Sequence, residues 1–350
     1  MGTAVAVRCP VDGAGPVLRA SPAWPGPGSQ GFERLIGESG ALYAVIQKAR
    51  RLAQLDASVL LQGETGVGKE VFARAIHESG PWRQGPFVAV NCGVLLRDLA
   101  ASELFGYADG AFTGARRSGM VGKIEAANGG TLFLDEIGEM PLDVQPYFLR
   151  ALEGGEVCPL GSNRPRQVQF RLIAASNRDL RAEVDAACFR SDLFYRVSVT
   201  SLRVPSLRER REDISVLVEH FSRDAARRHG IPVKSFDPEV LAVFENHSWP
   251  GNVRELRNAV ETMVLLAEDD VLGYADLPAD IASRAGAQTC APAAGLEGVE
   301  RFAIAGAIRK HSGNLALTSR DLRISKSTLY LKIKKYALEP TIQESRPSAR

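Results

Sequence analysis

Gly63-Glu64-Thr65-Gly66-Val67-Gly68-Lys69-Glu70 follows the apolar run at 58–62 and opens a helix predicted over 69–79. A glycine-rich turn between a buried strand and a helix is the setting that a phosphate-binding (Walker A) loop requires. Its glycines let successive backbone N–H groups converge on phosphate oxygens, and the helix N-terminus adds partial positive charge. Lys69 supplies a full charge for the β- and γ-phosphates of a nucleotide. Glu70 departs from the general motif, which has a Ser or Thr there to ligate magnesium. On this motif alone, a glycine-rich turn without nucleotide stays open. Asp135 and Glu136 narrow the choice. They end the apolar run Thr131-Leu132-Phe133-Leu134, at the carboxyl edge where ligands sit in parallel sheets. Asp135 is placed to hold Mg2+, directly or through water, and Glu136 to orient or deprotonate an attacking water. Together the two motifs predict ATP hydrolysis.

Around these motifs, short apolar runs at 58–62, 87–90, 131–134 and 170–174 alternate with helical stretches from Phe32 onward. That alternation predicts an α/β domain, a doubly wound parallel sheet. After about Arg208 the strand signals stop, and 214–229, 238–245 and 253–268 predict a helical subdomain. Residues 283–295, rich in Ala, Gly and Ser, are expected to be a linker, and 296–338 is helical again. Residues 1–30 carry five prolines and five glycines with no apolar period and are expected to be disordered. The expected units are therefore 1–31, 32–208, 209–282, 283–295, 296–340 and a tail at 341–350.

The net charge of +2 conceals an asymmetry. Residues 296–350 hold 11 Lys and Arg against 5 Asp and Glu, whereas the rest holds 32 against 36. A basic end on a mildly acidic body points to a nucleic-acid module, or else to a solvated basic surface. Cys9, Cys92, Cys158, Cys188 and Cys290 are odd in number and widely spaced. They form neither a disulfide framework nor a metal-ligand pattern, so a cytoplasmic location is expected. No apolar run approaches the roughly 18–20 residues of a membrane span, and the first residues lack a signal-peptide pattern.

Between the two nucleotide motifs lies Gly110-Ala111-Phe112-Thr113-Gly114-Ala115, a Phe and a Thr framed by small residues with no evident core role. This hexapeptide, within ELFGYADGAFTGARR, resembles the signature of the sigma-54-dependent enhancer-binding proteins, a branch of the AAA+ ATPases. The resemblance runs from about Phe32 to Leu338 through several separate motifs, and this family ordinarily has Glu at the position of Glu70. It implies an AAA+ sheet with a helical lid, ATP and Mg2+ as cofactors, and a homo-oligomeric ring, a hexamer, acting on sigma-54 and RNA polymerase. ATP-binding positions implied are Ile36 and Gly37 near adenine, residues 63–70, and Ala127, Asn128, Gly129 and Gly130 with the strand that follows them up to Glu136. Asn91 resembles the asparagine that restrains the catalytic glutamate, here Glu136. Asn177 resembles sensor I, and Arg254 in WPGNVREL resembles sensor II. Arg190 and Arg196 in FRSDLFYRV match the arginines that reach a neighbouring subunit's γ-phosphate. A guanidinium suits that role because it neutralises phosphoryl charge in bidentate fashion. Residues 110–115 would touch sigma-54. Pro146 falls inside what is usually an uninterrupted helix; either it sits in the first turn, where proline is tolerated, or the helix breaks there.

Residues 296–338 resemble the Fis-type helix-turn-helix that commonly closes this family, a small all-α domain for double-stranded DNA. Ser325 would cap a recognition helix over 326–336, with Lys326, Ser327, Thr328 and Tyr330 toward the bases and Lys332, Lys334 and Lys335 toward phosphates. Arg323 stands where the family usually has Gly, and a left-handed backbone there would cost roughly 1 kcal/mol. Two other readings compete: a remodeller of some other protein, which should lack both the 110–115 loop and the terminal module, and a DNA-bound regulator with a silent ATPase. Family members often carry a regulatory domain ahead of the ATPase, where this chain has about 30 residues. Control by a regulator in trans, control by abundance, and a longer parent protein all stay open.

Overall fold

A computed structural model of the chain describes residues 31–111, 119–288, 304, 307–308, 311, 314–322 and 324–336. It divides into two compact units. One takes the described residues up to Gly37 with Leu42–Gly63 and Gly68–Val204; the other takes Glu38–Ala41, Glu64–Val67 and the described residues from Pro205 on.

The first unit is built on strands β1 (Val59–Gln62), β2 (Phe87–Asn91), β5 (Thr131–Asp135), β8 (Arg171–Ser176) and β9 (Thr200–Arg203). They form one parallel sheet in the order β2-β5-β8-β1-β9. Four of the five coincide with the expected apolar runs. β9, Thr-Ser-Leu-Arg, is an edge strand whose single buried residue, Leu202, carries too little apolar pattern to be seen in sequence. Helices α1 (Gly40–Ala53), α2 (Lys69–Glu78), α3 (Arg97–Phe105), α4 (Lys123–Ala126), α5 (Gln145–Gly154), α6 (Leu180–Asp185) and α7 (Ser191–Val197) complete the winding. Leu60, Leu132, Leu134, Leu172 and Ala174 from the sheet meet Leu104, Ile124, Phe148 and Leu193 from the helices in one core. Each of the Leu, Ile and Phe side chains among them contributes about 1.5–3 kcal/mol on full burial. Arg171 begins β8 yet is fully buried. Its guanidinium donates to the carbonyls of Ala53 (2.9 Å) and Leu52 (2.7 Å), so it caps the end of α1, where four carbonyls lack helical partners.

Two short ribbons stand beside the sheet. β3 (Gly106–Tyr107) pairs antiparallel with β4 (Met120–Val121), and β6 (Glu156–Val157) with β7 (Arg166–Gln167). Leu160 joins the first ribbon: its N–H donates to Gly106 O and its carbonyl accepts from Ala108 N–H, both at 2.9 Å. Pro146 sits in the first turn of α5, where its missing N–H breaks no helical bond, so the helix runs unbroken to Gly154.

The second unit is mostly helical: α8 (Asp213–His229), α9 (Pro238–Asn246), α10 (Asn252–Leu266) and α11 (Ala279–Gln288). Strands do not cease altogether, because β10 (Ser235–Phe236) pairs parallel with β11 (Val271–Leu272). At two residues each they are too short to leave a periodic signal. α11 runs through the first six positions of the stretch expected as a linker. Its Ala content favours helix enough to carry the single Gly286, which costs about 1 kcal/mol. At the C-terminal end, Ile304 and Ile308 pack on Leu329 and Ile333, with Leu315, Leu322, Ile324 and Tyr336 around them. Asn314 caps the helix Leu315–Asp321, and Ser325 caps Lys326–Lys335 by accepting from Thr328 N–H at 3.1 Å. Arg323 and residues 1–30 lie outside the described residues.

Candidate functional site

Parallel pairing brings the carboxyl ends of adjacent strands to one edge, and the predicted residues of the first unit gather there. Asn91 ends β2 directly opposite Asp135 at the end of β5. Asn177 follows β8, and Gly63 follows β1 with its N–H bonded to Ser176 O at 3.2 Å. Lys69, 8% exposed, donates from Nζ to the Gly63 carbonyl at 2.8 Å. Its ammonium thus lies within hydrogen-bond reach of the loop's own backbone. Glu70 points elsewhere, into an exposed ion pair with Arg74 at 2.8 Å.

Asp135 accepts from Glu136 N–H at 3.0 Å through Oδ1. Glu136 itself has a left-handed backbone, φ 52° and ψ 46°, a conformation uncommon outside glycine that costs of order 1 kcal/mol. The turn aims its carboxylate at Gly93: a Cβ added there would lie 2.5 Å from Glu136 Oε2 and 3.3 Å from Asn91 Oδ1. Asn91 Oδ1 accepts from Gly93 N–H at 2.8 Å. The Asn91 amide oxygen and the Glu136 carboxylate therefore lie close to one spot beside Gly93. Cys92, buried beneath them, has its thiol pushed up to about 12 by burial first and then by Asp135 and Glu136. It stays a neutral thiol.

The stretch from Ala127 needs correction. Ala127, Asn128, Gly129 and Gly130 lie at the amino end of β5, the edge opposite Asp135. Asn128 accepts there from Gln169 N–H at 2.8 Å, and Gly130 N–H bonds Ala127 O at 2.9 Å. Thr131, Leu132, Phe133 and Leu134 are buried within the sheet. A strand rises about 3.3 Å per residue, so only Asp135 and Glu136 reach the carboxyl edge.

Arg190 and Arg196 are both exposed, on and just before α7. Arg190 forks onto Asp192 (3.1 and 2.7 Å), a hydrogen bond that raises its pKa, and Arg196 donates to Leu152 O at 3.1 Å. Ile36 and Gly37 are half-buried. Of the loop at 110–115, Gly110 (φ 72°) and Ala111 are described, and Phe112, Thr113, Gly114 and Ala115 lie outside the described residues. The ribbon β3–β4 forms its base.

Within the second unit, the middle of the phosphate loop is held by lid residues that the sequence reading passed over. Asn252 donates to Thr65 O (3.0 Å) and to the Glu64 carboxylate (3.2 Å), and Glu64 is forked by Arg208. Arg210 donates to Val67 O at 2.9 Å. Gly66 is required: a Cβ there would lie 2.3 Å from Gly251 O. Arg254 lines a cavity of about 450 Å3 with Thr65, Gly251, Asn258, Thr262 and Ile281. Asn252 lies two residues before Arg254 in the WPGNVREL stretch.

On the helix Lys326–Lys335, Lys326, Ser327, Tyr330, Lys334 and Lys335 are exposed and Lys332 is half-buried. Thr328 Oγ1 lies 2.7 Å from Ser325 Oγ, so this hydroxyl serves the helix cap as well as any base. Leu331, 71% exposed, is an apolar member of that surface that charge patterning did not flag.

A glycine-rich loop with its lysine, an acidic pair on the next strand but one, polar residues at neighbouring strand ends and a helical lid define a phosphate-loop NTPase class. Comparison with known proteins is more specific. Residues 35–203 match the Sigma-54 interaction domain, 208–293 the AAA+ ATPase lid domain, and 295–336 the Bacterial regulatory protein, Fis family. The transcriptional regulatory protein ZraR of Escherichia coli is 43% identical over 85% of this chain and 68% of its own length. The DNA-binding transcriptional regulator NtrC of Rhizobium meliloti is 47% identical over 70% of this chain and 50% of its own. NtrX from Brucella abortus, solved in complex with ATP, superposes with a TM-score of 0.68 at 33% identity, covering 87% of this chain and 70% of NtrX. The chain belongs to the sigma-54-dependent transcriptional activators, AAA+ proteins with a Fis-type helix-turn-helix. It spans 49%, 58% and 64% of the length of three curated relatives. No helix among the described residues is long and apolar enough to cross a membrane.

Proposed function

We propose that this chain is an ATP-driven activator that binds upstream DNA, assembles into a ring and remodels sigma-54 RNA polymerase in the cytosol through its 110–115 loop. The observation that carries this reading is the single sheet edge that collects Gly63, Asn91, Asp135, Glu136 and Asn177, with Lys69 poised over the loop. Bound to the family's ATP, Lys69 would leave the Gly63 carbonyl for the β- and γ-phosphates. Asp135 would hold Mg2+. A single carboxylate suits this ion, which keeps several waters and takes its other ligands from phosphates; no cluster of three His, Cys, Asp or Glu residues occurs among the described residues. Mg2+ would neutralise phosphate charge. Glu136, with its carboxylate beside Gly93, is the base for the attacking water, and Asn91 beside it checks its orientation. Arg190 and Arg196, both exposed, fit a site completed by a second subunit, and Arg254 fits a lid sensor. Work leaves by mechanical linkage: α5 leads through β6 to Leu160, which pairs with Gly106 and Ala108 at the base of the loop. The complexes of NtrX with ATP and ADP support the nucleotide assignment.

Thr113→Ala tests the reading, because the loop takes no part in nucleotide chemistry. The variant should hydrolyse ATP, form rings and bind DNA, yet fail to open a sigma-54 promoter. Wild type with ADP–aluminium fluoride should trap sigma-54, and Thr113→Ala should not. Full activation by Thr113→Ala, or a wild type that never captures sigma-54, would remove the activator assignment and leave an ATPase.

A further inference from the structure

Two buried side chains of the second unit hold carbonyls of the phosphate loop. Asn252 Nδ2 donates to Thr65 O at 3.0 Å, and Arg210 Nη2 donates to Val67 O at 2.9 Å. Asn252 is 0% exposed and Arg210 4%, so water does not compete for either bond. A trans peptide unit points its C=O and its N–H in opposite directions. Holding Thr65 O therefore aims the Gly66 N–H away from Asn252, and holding Val67 O does the same for the Gly68 N–H. Gly66 and Gly68 have φ of 81° and 104°, the left-handed positions that alternate in an anion-binding nest. The remaining alternate carbonyl, that of Gly63, is the one Lys69 holds. We propose that Asn252 and Arg210 are positioning residues for nucleotide binding: they preset the phosphate loop so that its N–H groups converge before a nucleotide arrives. The proposal rests on the ATP-site reading above and adds residues of the lid unit other than Arg254.

Both residues are built into place. Asn252 Oδ1 accepts from Leu207 N–H at 2.8 Å, so the amide uses both its ends. Its backbone is left-handed (φ 52°), a conformation asparagine tolerates better than most residues. Arg210 Nη1 lies 4.0 Å from Asp213 Oδ2, and the Asp213 carboxylate accepts from the N–H groups of Glu38 and Ser39 at 2.7 Å each. One buried chain of polar contacts thus links the start of α1, the start of α8 and the loop.

Asn252→Asp is the sharpest variant. It keeps the shape and the acceptor for Leu207 N–H but turns the donor facing Thr65 O and the Glu64 carboxylate into a second acceptor. Arg210→Lys keeps the charge beside Asp213 while losing the planar fork. The full chain in wild-type and variant forms is assayed for KM for ATP, kcat and melting temperature. A loop that must be ordered on binding costs affinity rather than chemistry. KM should therefore rise about five- to hundredfold in Asn252→Asp, which loses its bonds to Thr65 O and to the Glu64 carboxylate, and less in Arg210→Lys. The change in kcat should be the smaller of the two. A merely structural role would lower melting temperature and kcat with KM unchanged, and that result in a folded variant overturns the proposal. If Asn252→Asp does not fold, Arg210→Lys decides on the same criterion. A wild type that neither binds nor hydrolyses ATP would instead remove the ATPase reading on which this one stands.

Discussion

Glu136 and Lys69 illustrate how single residues divide one reaction. Lys69 is a buried cation whose ammonium donates to the Gly63 carbonyl of the phosphate loop, so the role proposed for it is binding phosphate charge. Glu136 holds a backbone conformation that costs energy and is offset by the placement of its carboxylate beside Gly93 and Asn91. Lys69→Ala should therefore lose affinity for a fluorescent ATP analogue. Glu136→Gln should keep that affinity while phosphate release falls by about 10²–10⁴-fold, the usual contribution of a general base. Equal loss of binding in both variants would contradict the division of roles. The neighbouring Cys92, buried and set against both carboxylates, is no candidate nucleophile.

At the level of elements, two helix starts matter. Pro146 in the first turn of α5 leaves that helix continuous up to the ribbon that carries Leu160, so the path from sheet edge to loop base is uninterrupted. Ser325 satisfies an N–H at the start of the helix Lys326–Lys335 and also holds the Thr328 hydroxyl. Removing such a cap costs about 1 kcal/mol. In Ser325→Ala, amide exchange across that helix should accelerate about fivefold, with DNA affinity falling in step. Unchanged exchange would mean that tertiary packing on Ile304 and Ile308 alone holds the helix.

On the proposed function the molecule is incomplete as a monomer. Arg190 and Arg196 are exposed, and their contacts within the chain, with Asp192 and the Leu152 carbonyl, face solvent and contribute little net stability. Turnover per subunit should rise with protein concentration as rings form. Mixing Arg196→Ala with Glu136→Gln subunits should restore part of the activity, at interfaces pairing an intact Arg196 with an intact Glu136. Flat turnover over a wide dilution series, with no oligomer by light scattering, would count against a shared site.

Local pattern already specified much of this protein. The glycine-rich loop, the acidic pair after an apolar run and the terminal basic helix each follow from short-range chemistry, so four of the five main strands, the helical second unit and Lys69, Asp135, Glu136 and Ser325 were legible without coordinates. Strand order, and with it the placing of Asn91 opposite Asp135, was not, because pairing joins residues 44 apart whose identities carry no record of register. The same limit misassigned Ala127 to Leu134 to the nucleotide: sequence proximity to Asp135 says nothing about which end of a strand faces the ligand. It also hid Asn252 and Arg210, which reach Thr65 and Val67 across 187 and 143 residues. Hydrogen bonds of that kind depend on where burial leaves a carbonyl in need of a donor, and burial is a property of the packed chain.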